Sequence, residues 1–145
     1  MKVLHPYFFY QLKFIMTKAN TQKLITQVKE KVLLWDEVST GIHTMGGVEF
    51  LFREKEIGHI HWNGDLDIKF GKRLTEELLI QSIVQQHKFV PSVAITYPLL
   101  SNENIPFAFL LLRLSYLIQQ KKVASNKDLI SHQIETELEA IKLYK

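Results

Sequence analysis

The sequence predicts an α+β domain of two layers, an antiparallel sheet with helices on one face. Three observations lead there. Residues 46–70 read as consecutive short strands joined by turn residues, with no room between them for a crossover helix. Helical periodicity is confined to the flanks, before Trp35 and after Gly71. Segregated helices and hairpin-linked strands belong to the α+β class rather than to alternating α/β folds.

The elements follow in order. A helix over residues 21–35 puts Leu24, Val28, Val32 and Trp35 on one stripe, with Asn20 or Thr21 as its N-cap. Residues 38–45 alternate loosely and are rich in β-branched side chains, as a strand should be. Gly46-Gly47 turns the chain into a strand over 48–53, where Val48, Phe50 and Phe52 oppose Glu49 and Arg53. The next strand covers 57–62. Asn63-Gly64 then reads as a two-residue type I′ hairpin into the strictly alternating strand 65–70. After Gly71, residues 72–84 form a helix with Leu74 and Leu78 inward. An extended piece at 87–90 leads to a strand over 93–97, ended by Pro98. Caps from residues 101–104 and Pro106 in the first turn open a helix over 107–121, apolar nearly all round and so buried on several sides. Ser125-Asn126-Lys127-Asp128 resembles a capping box, and the last helix carries a stripe of Ile130, Ile134, Leu138 and Ile141. The order is α-β(3–4)-α-β(1–2)-α-α. Residues 1–20 read as an N-terminal extension, with Met16 an alternative start, and residues 21–145 as one domain that includes the C-terminal helix.

Composition narrows the function. The chain has 145 residues, 46% hydrophobic and 23% charged, which suits one globular domain. Its net charge of +3, from 18 basic and 15 acidic side chains, is interspersed rather than striped, a poor match to a nucleic-acid surface. The absence of cysteine excludes disulfides, thiol catalysis and Cys-ligated metal, and is compatible with a cytoplasmic location. The apolar N-terminus is broken by His5, Pro6, Gln11 and Lys13 and lacks a small-x-small cleavage site, so no signal peptide is expected. The apolar run 107–112 is far too short to span a membrane.

His59 and His61 stand two residues apart on one strand, so both imidazoles leave the same side of the sheet. A two-residue Asn63-Gly64 turn pairs His61 with Leu66 and His59 with Ile68. A two-residue Glu54-Lys55 turn pairs Phe50 with His59. Both put the histidines on the apolar side, and Ile60 and Trp62 on the open side beside Asp65 and Asp67. A His-x-His pair supplies two ligands of a zinc site and needs a third, for which His87, Asp65 and Asp67 are candidates. The aspartates fall on the opposite face in this register. The structural reading, two core-rim imidazoles satisfied by hydrogen bonds, is therefore preferred, and no metal or cofactor is assigned. No phosphate-binding loop, nucleophile elbow or zinc-protease motif is present.

The segments GGVEFLF, EIGHIHWNGDLDIKF, HKFVP and LLRLSYL resemble the shared pattern of the luciferase-domain proteins, a family of small bacterial and fungal proteins. The matching positions are Glu56, Ile57, Gly58, His59 and His61, then Gly64, Asp65, Asp67 and Phe70, within residues 35–117. Two departures stand out. The family's His-His pair is His87-Lys88 here, and its Ser-Gly-Trp is Ser92-Val93-Ala94. The element order is also similar to the YjbR-like fold. That similarity implies a two-layer domain like the secretion chaperones, some of which dimerise or bind protein or DNA. The family label implies no light emission: there is no flavin phosphate site, and the chain is too short for a (β/α)₈ barrel of ~250 residues.

The expected function, with its biochemistry unknown, is a non-catalytic protein- or ligand-binding domain. Ile60, Trp62, Ile134 and Leu138 are its candidate contact surface for a homodimer or protein partner. The alternative is a small enzyme or ligand-binding protein with His59, His61 and His87 lining one pocket. DNA binding is the weakest reading, and no membrane association is expected.

Overall fold

The computed structural model describes residues 6–144, with side chains from residue 18 onward. Aromatic residues Tyr7, Phe8, Phe9 and Tyr10, expected to pack on the domain, have side chains outside that range. The architecture is the expected α+β, with six strands in one antiparallel sheet.

Helix α1 (Pro6–Val32) starts well before the expected cap at Asn20 or Thr21 and ends before Trp35. Leu24, Ile25, Val28 and Val32 form its buried stripe. Strands β1 (Val38–Ile42), β2 (Gly47–Phe52), β3 (Lys55–His61) and β4 (Asp65–Lys69) form a meander. Helix α2 (Lys72–Leu79) is shorter than expected. It leads to the two-residue edge strand β5 (Gln85–Gln86) and to β6 (Ala94–Pro98), which inserts between β4 and β5. Helices α3 (Ile105–Val123) and α4 (Lys127–Leu143) complete the chain. Pro106 sits in the first turn of α3 as expected, and the Ser101–Asn104 capping box opens the short 3₁₀ turn before it. Asn126 takes the N-cap position of α4 without a side-chain bond, so the second expected capping box does not form.

The helix-side face of the sheet is the core. Val48, Phe50, Phe52, Ile57, Ile60, Leu66, Ile68, Ile95 and Tyr97 are buried there against Phe107, Leu111, Leu112 and Leu114 of α3. Gly58 allows this approach: a Cβ added there would lie 2.8 Å from Leu112 and 3.0 Å from Ile68. Tyr116 of α3 donates to the carbonyl of Asp36, 3.1 Å away, and its ring meets Trp35 at 5.4 Å, which ties the end of α1 to the centre of the fold.

The register differs from expectation by one residue on both sides of β3, and that difference turns the strand over. Asn63 lacks the positive φ a type I′ turn requires. Instead Gly64 (φ 97°) closes a three-residue loop, its N–H bonded to the carbonyl of His61 at 2.9 Å. Ile60 therefore pairs with Leu66, and His59 with Asp67. The true type I′ pair is Arg53-Glu54 (φ 46° and 68°), which joins Phe52 to Lys55. An irregularity then leaves Ile57 as an extra residue, so that Phe50 pairs with Gly58 and Glu49 with His59. Ile60 is accordingly fully buried rather than on the open face, and both histidines lie on the face opposite the helices.

Replacing Gly64 tests the loop. An alanine Cβ there would sit 2.7 Å from the Leu99 carbonyl in a left-handed backbone. Gly64→Ala is expected to lower stability by about 1–3 kcal/mol, read by urea denaturation. A loss no larger than that of an exposed surface substitution would contradict this loop geometry.

Candidate functional site

Side chains directly opposite one another on paired strands share a face, so the register lists the site. One row crosses five strands on the open face: Glu49, His59, Asp67, Thr96 and Gln85. The next row brings His61 opposite Gly47, and the His43 N–H, just beyond β1, bonds the Gly47 carbonyl at 3.0 Å. His87 follows β5, its N–H bonded to the Ala94 carbonyl at 3.2 Å. His43, His59, His61, Asp67, His87 and Thr96 line a cavity of about 480 Å³ whose rim carries Met45, Asn63, Lys88 and Phe89.

Asp67 is the centre. Its carboxylate is buried, yet three imidazoles approach the one oxygen Oδ2: His61 Nε2 at 2.8 Å, His87 Nε2 at 3.2 Å and His59 Nε2 at 3.5 Å. The other oxygen, Oδ1, accepts the Thr96 hydroxyl in a short hydrogen bond. A buried carboxylate is tolerated only when it is bonded in this way.

The remaining ring nitrogens are also engaged. His59 Nδ1 bonds the Glu56 carboxylate, and His61 Nδ1 donates to the Gly46 carbonyl at 3.2 Å. His87 Nδ1 instead accepts from the Phe89 and Val90 N–H groups at 3.1 and 3.2 Å, which places its proton on Nε2, facing Asp67. His43 Nδ1 likewise accepts the Met45 N–H at 3.2 Å. Its ring stacks on His59 with centroids 3.7 Å apart. The Nε2 atoms of His59 and His61 stand 3.2 Å apart.

The electrostatics follow from this packing. Burial opposes charge on His59, but hydrogen bonds to Asp67 and Glu56 outweigh it and push its pKa up to about 9. Burial would raise the Asp67 carboxyl, but bonds from His59, Thr96 and His61 hold it down at about 2. Burial and the neighbouring His59 charge push His43 down. The pocket thus favours positive charge at its floor.

The candidates read from sequence fare differently. His59, His61 and His87 come together. Asp67, discounted because the expected register set it on the other face, lies among them. His43 and Thr96 were not singled out and Glu56 only as a position of the family pattern, and only the correct pairing brings them to the site. His43, His59 and His61 offer ring nitrogens all within 4.8 Å of one another, a grouping that the expected register did not contain. Of the expected contact surface, Trp62 is half exposed in the β3–β4 loop, whereas Ile60 is buried. Ile134 and Leu138 pack against the chain's own core, since α4 lies along α3. Among the described residues no helix is long and apolar enough to cross a membrane.

Asp67→Asn keeps the shape of the side chain and removes its charge. The variant is expected to lose about 1–3 kcal/mol at neutral pH, because donors aimed at the carboxylate lose a charged acceptor. Chemical denaturation measures this, and unchanged stability would mean the imidazoles do not depend on Asp67.

No curated protein and no solved structure matches the chain. Residues 54–115 do match a family model, described as the luciferase domain. That stretch runs from the β2–β3 turn into α3 and contains Glu56, His59, His61, Asp67, His87 and Thr96. The resemblance to the luciferase-domain family is therefore borne out over residues 54–115, which carry most of the site, while His43, Met45 and Gly46 precede the matched stretch.

Proposed function

We propose that this chain acts by binding a small polar ligand in the cavity lined by His59, His61 and His87. One observation carries the reading: three imidazoles converge on a single buried carboxylate oxygen at the floor of an open cavity. A carboxylate and several imidazoles held at a solvent-accessible cavity contribute less to stability than apolar packing would, and such arrangements concentrate at functional sites. Concave sites with a few convergent polar groups are where small ligands bind. The competing reading, a protein contact face around Ile60, Trp62 and the α4 stripe, loses support because three of its four residues pack inside the domain.

The cavity mouth offers a test. Gln85 lines it from the edge strand, in register with Thr96. In protein-observed NMR of the ¹⁵N-labelled protein, a set of small carboxylates, phosphates and heteroaromatics should yield binders that shift the ring ¹⁵N signals of His59, His61 and His87. Gln85→Trp should abolish those shifts while leaving the fold intact. If no fragment moves these signals at millimolar concentration, or if Gln85→Trp leaves the shifts unchanged, the pocket reading fails.

A further inference from the structure

The hydrogen bonds on the far side of each ring and carboxylate assign a role to the near side. His59 gives its Nδ1 proton to Glu56 and His61 gives its Nδ1 proton to the Gly46 carbonyl. With Nδ1 engaged in this way, the Nε2 atoms of both rings face each other and Asp67 Oδ2, and once they release the protons they share with Asp67 their lone pairs point into one gap. Three donor atoms this close need positive charge between them, which ring protons supply in the metal-free protein and a metal ion would supply in their place. Metal-binding histidines carry this outer pattern, a carboxylate or carbonyl on the second nitrogen, and ligating carboxylates are themselves hydrogen-bonded, as Thr96 bonds Asp67.

We propose that His59 Nε2, His61 Nε2 and Asp67 Oδ2 are the protein donors of a site for one divalent first-row transition ion. The proposal rests on the pocket reading above and gives that pocket a resident ion. The three atoms are separated by 3.2, 2.8 and 3.5 Å. Ligand atoms about 2.0–2.1 Å from a tetrahedral ion lie about 3.3 Å apart, so these separations suit an ion of that size. Two imidazoles and one carboxylate on one face form a set that suits zinc or ferrous iron and leaves positions open. Here the open positions face the cavity, where a bound ligand would complete the coordination.

The other two imidazoles are turned the opposite way, with Nδ1 as the acceptor. His87 accepts two backbone N–H groups at Nδ1, so its Nε2 carries a proton and donates to Asp67. His43 accepts the Met45 N–H at Nδ1 and is fixed in the same tautomer. Although His43 lies close enough to be a ligand, ligation would cost it that bond. It instead covers His59 by stacking.

The test uses full-length protein purified without a histidine tag, stripped with chelator and titrated with Zn(II) or Co(II) in a competing chelator buffer. One equivalent should bind, and Co(II) should give visible d–d bands. His59→Ala, His61→Gln and Asp67→Asn should each weaken Zn(II) by about 100-fold or more, and Thr96→Val by about tenfold. His43→Ala should stay within about threefold of wild type by this tautomer argument, whereas His87→Ala, which removes a bond to Asp67 as Thr96→Val does, should weaken Zn(II) by no more than about tenfold. Circular dichroism and melting curves establish that each variant is folded. Binding well below one equivalent at saturating Zn(II) would overturn the proposal. So would wild-type affinity in folded His61→Gln or Asp67→Asn, or an effect of His43→Ala as large as that of His61→Gln. Fragment binding that persists in the stripped protein, without Zn(II) affinity, removes the ion and keeps the pocket. Zn(II) binding without any fragment does the reverse.

Discussion

The register of β3 against its two neighbours decides what this protein presents to solvent. Side chains alternate along a strand, so a shift of one residue exchanges the two faces completely. The extra residue at Ile57 and the three-residue loop ending at Gly64 fix the strand in the one setting that buries Ile60 and frees His59 and His61. With that setting, Phe50, Ile60 and Leu66 reach α3, and the polar row from Glu49 to Gln85 forms on the reverse. The core and the histidine cluster are two sides of one alignment.

Much of the fold was legible in the sequence because it depends on patterns with redundant support. The meander from residue 38 to 69, the buried character of α3 and the last helix each rest on many side chains, so no single misreading removes them. The faces of β3 rest on turn geometry, where one residue decides. Asn63-Gly64 carries the sequence signal of a type I′ turn but takes another form, while Arg53-Glu54 adopts type I′ without the signal. Tertiary contacts override local preference at both: Gly64 packs against the Leu99 backbone, and the Arg53 guanidinium is held by Glu37 at 2.8 Å. The His-x-His pair was visible, but its partners were not. His43, Asp67 and Thr96 meet it only through pairings across four strands.

The site also shows how polar groups are distributed in a small domain. The core side is almost entirely hydrocarbon, and its few polar atoms belong to side chains such as Tyr116, whose hydroxyl is bonded. The open side concentrates imidazole and carboxylate chemistry, with each ring oriented by a bond to Glu56, Gly46, Met45 or the Phe89–Val90 backbone. Orientation of that kind fixes the rotamers before anything binds, which lowers the entropy lost on binding.

The edge strand β5 is two residues long and pairs with β6 alone. Its paired residues, Gln85 and Gln86, are both exposed, so apart from the buried Val84 just before them little apolar surface secures it. Local opening costs least where few buried contacts and few ladder bonds are broken. This edge can therefore lift from β6 while the four strands β2, β3, β4 and β6 stay packed on α3. Such a movement would carry His87 and Phe89 away from Asp67 and widen the cavity, leaving His59 and His61 in place. The wall of the pocket and its floor thus differ in how firmly they are held: the wall rests on a two-residue ladder, the floor on strands packed over the core.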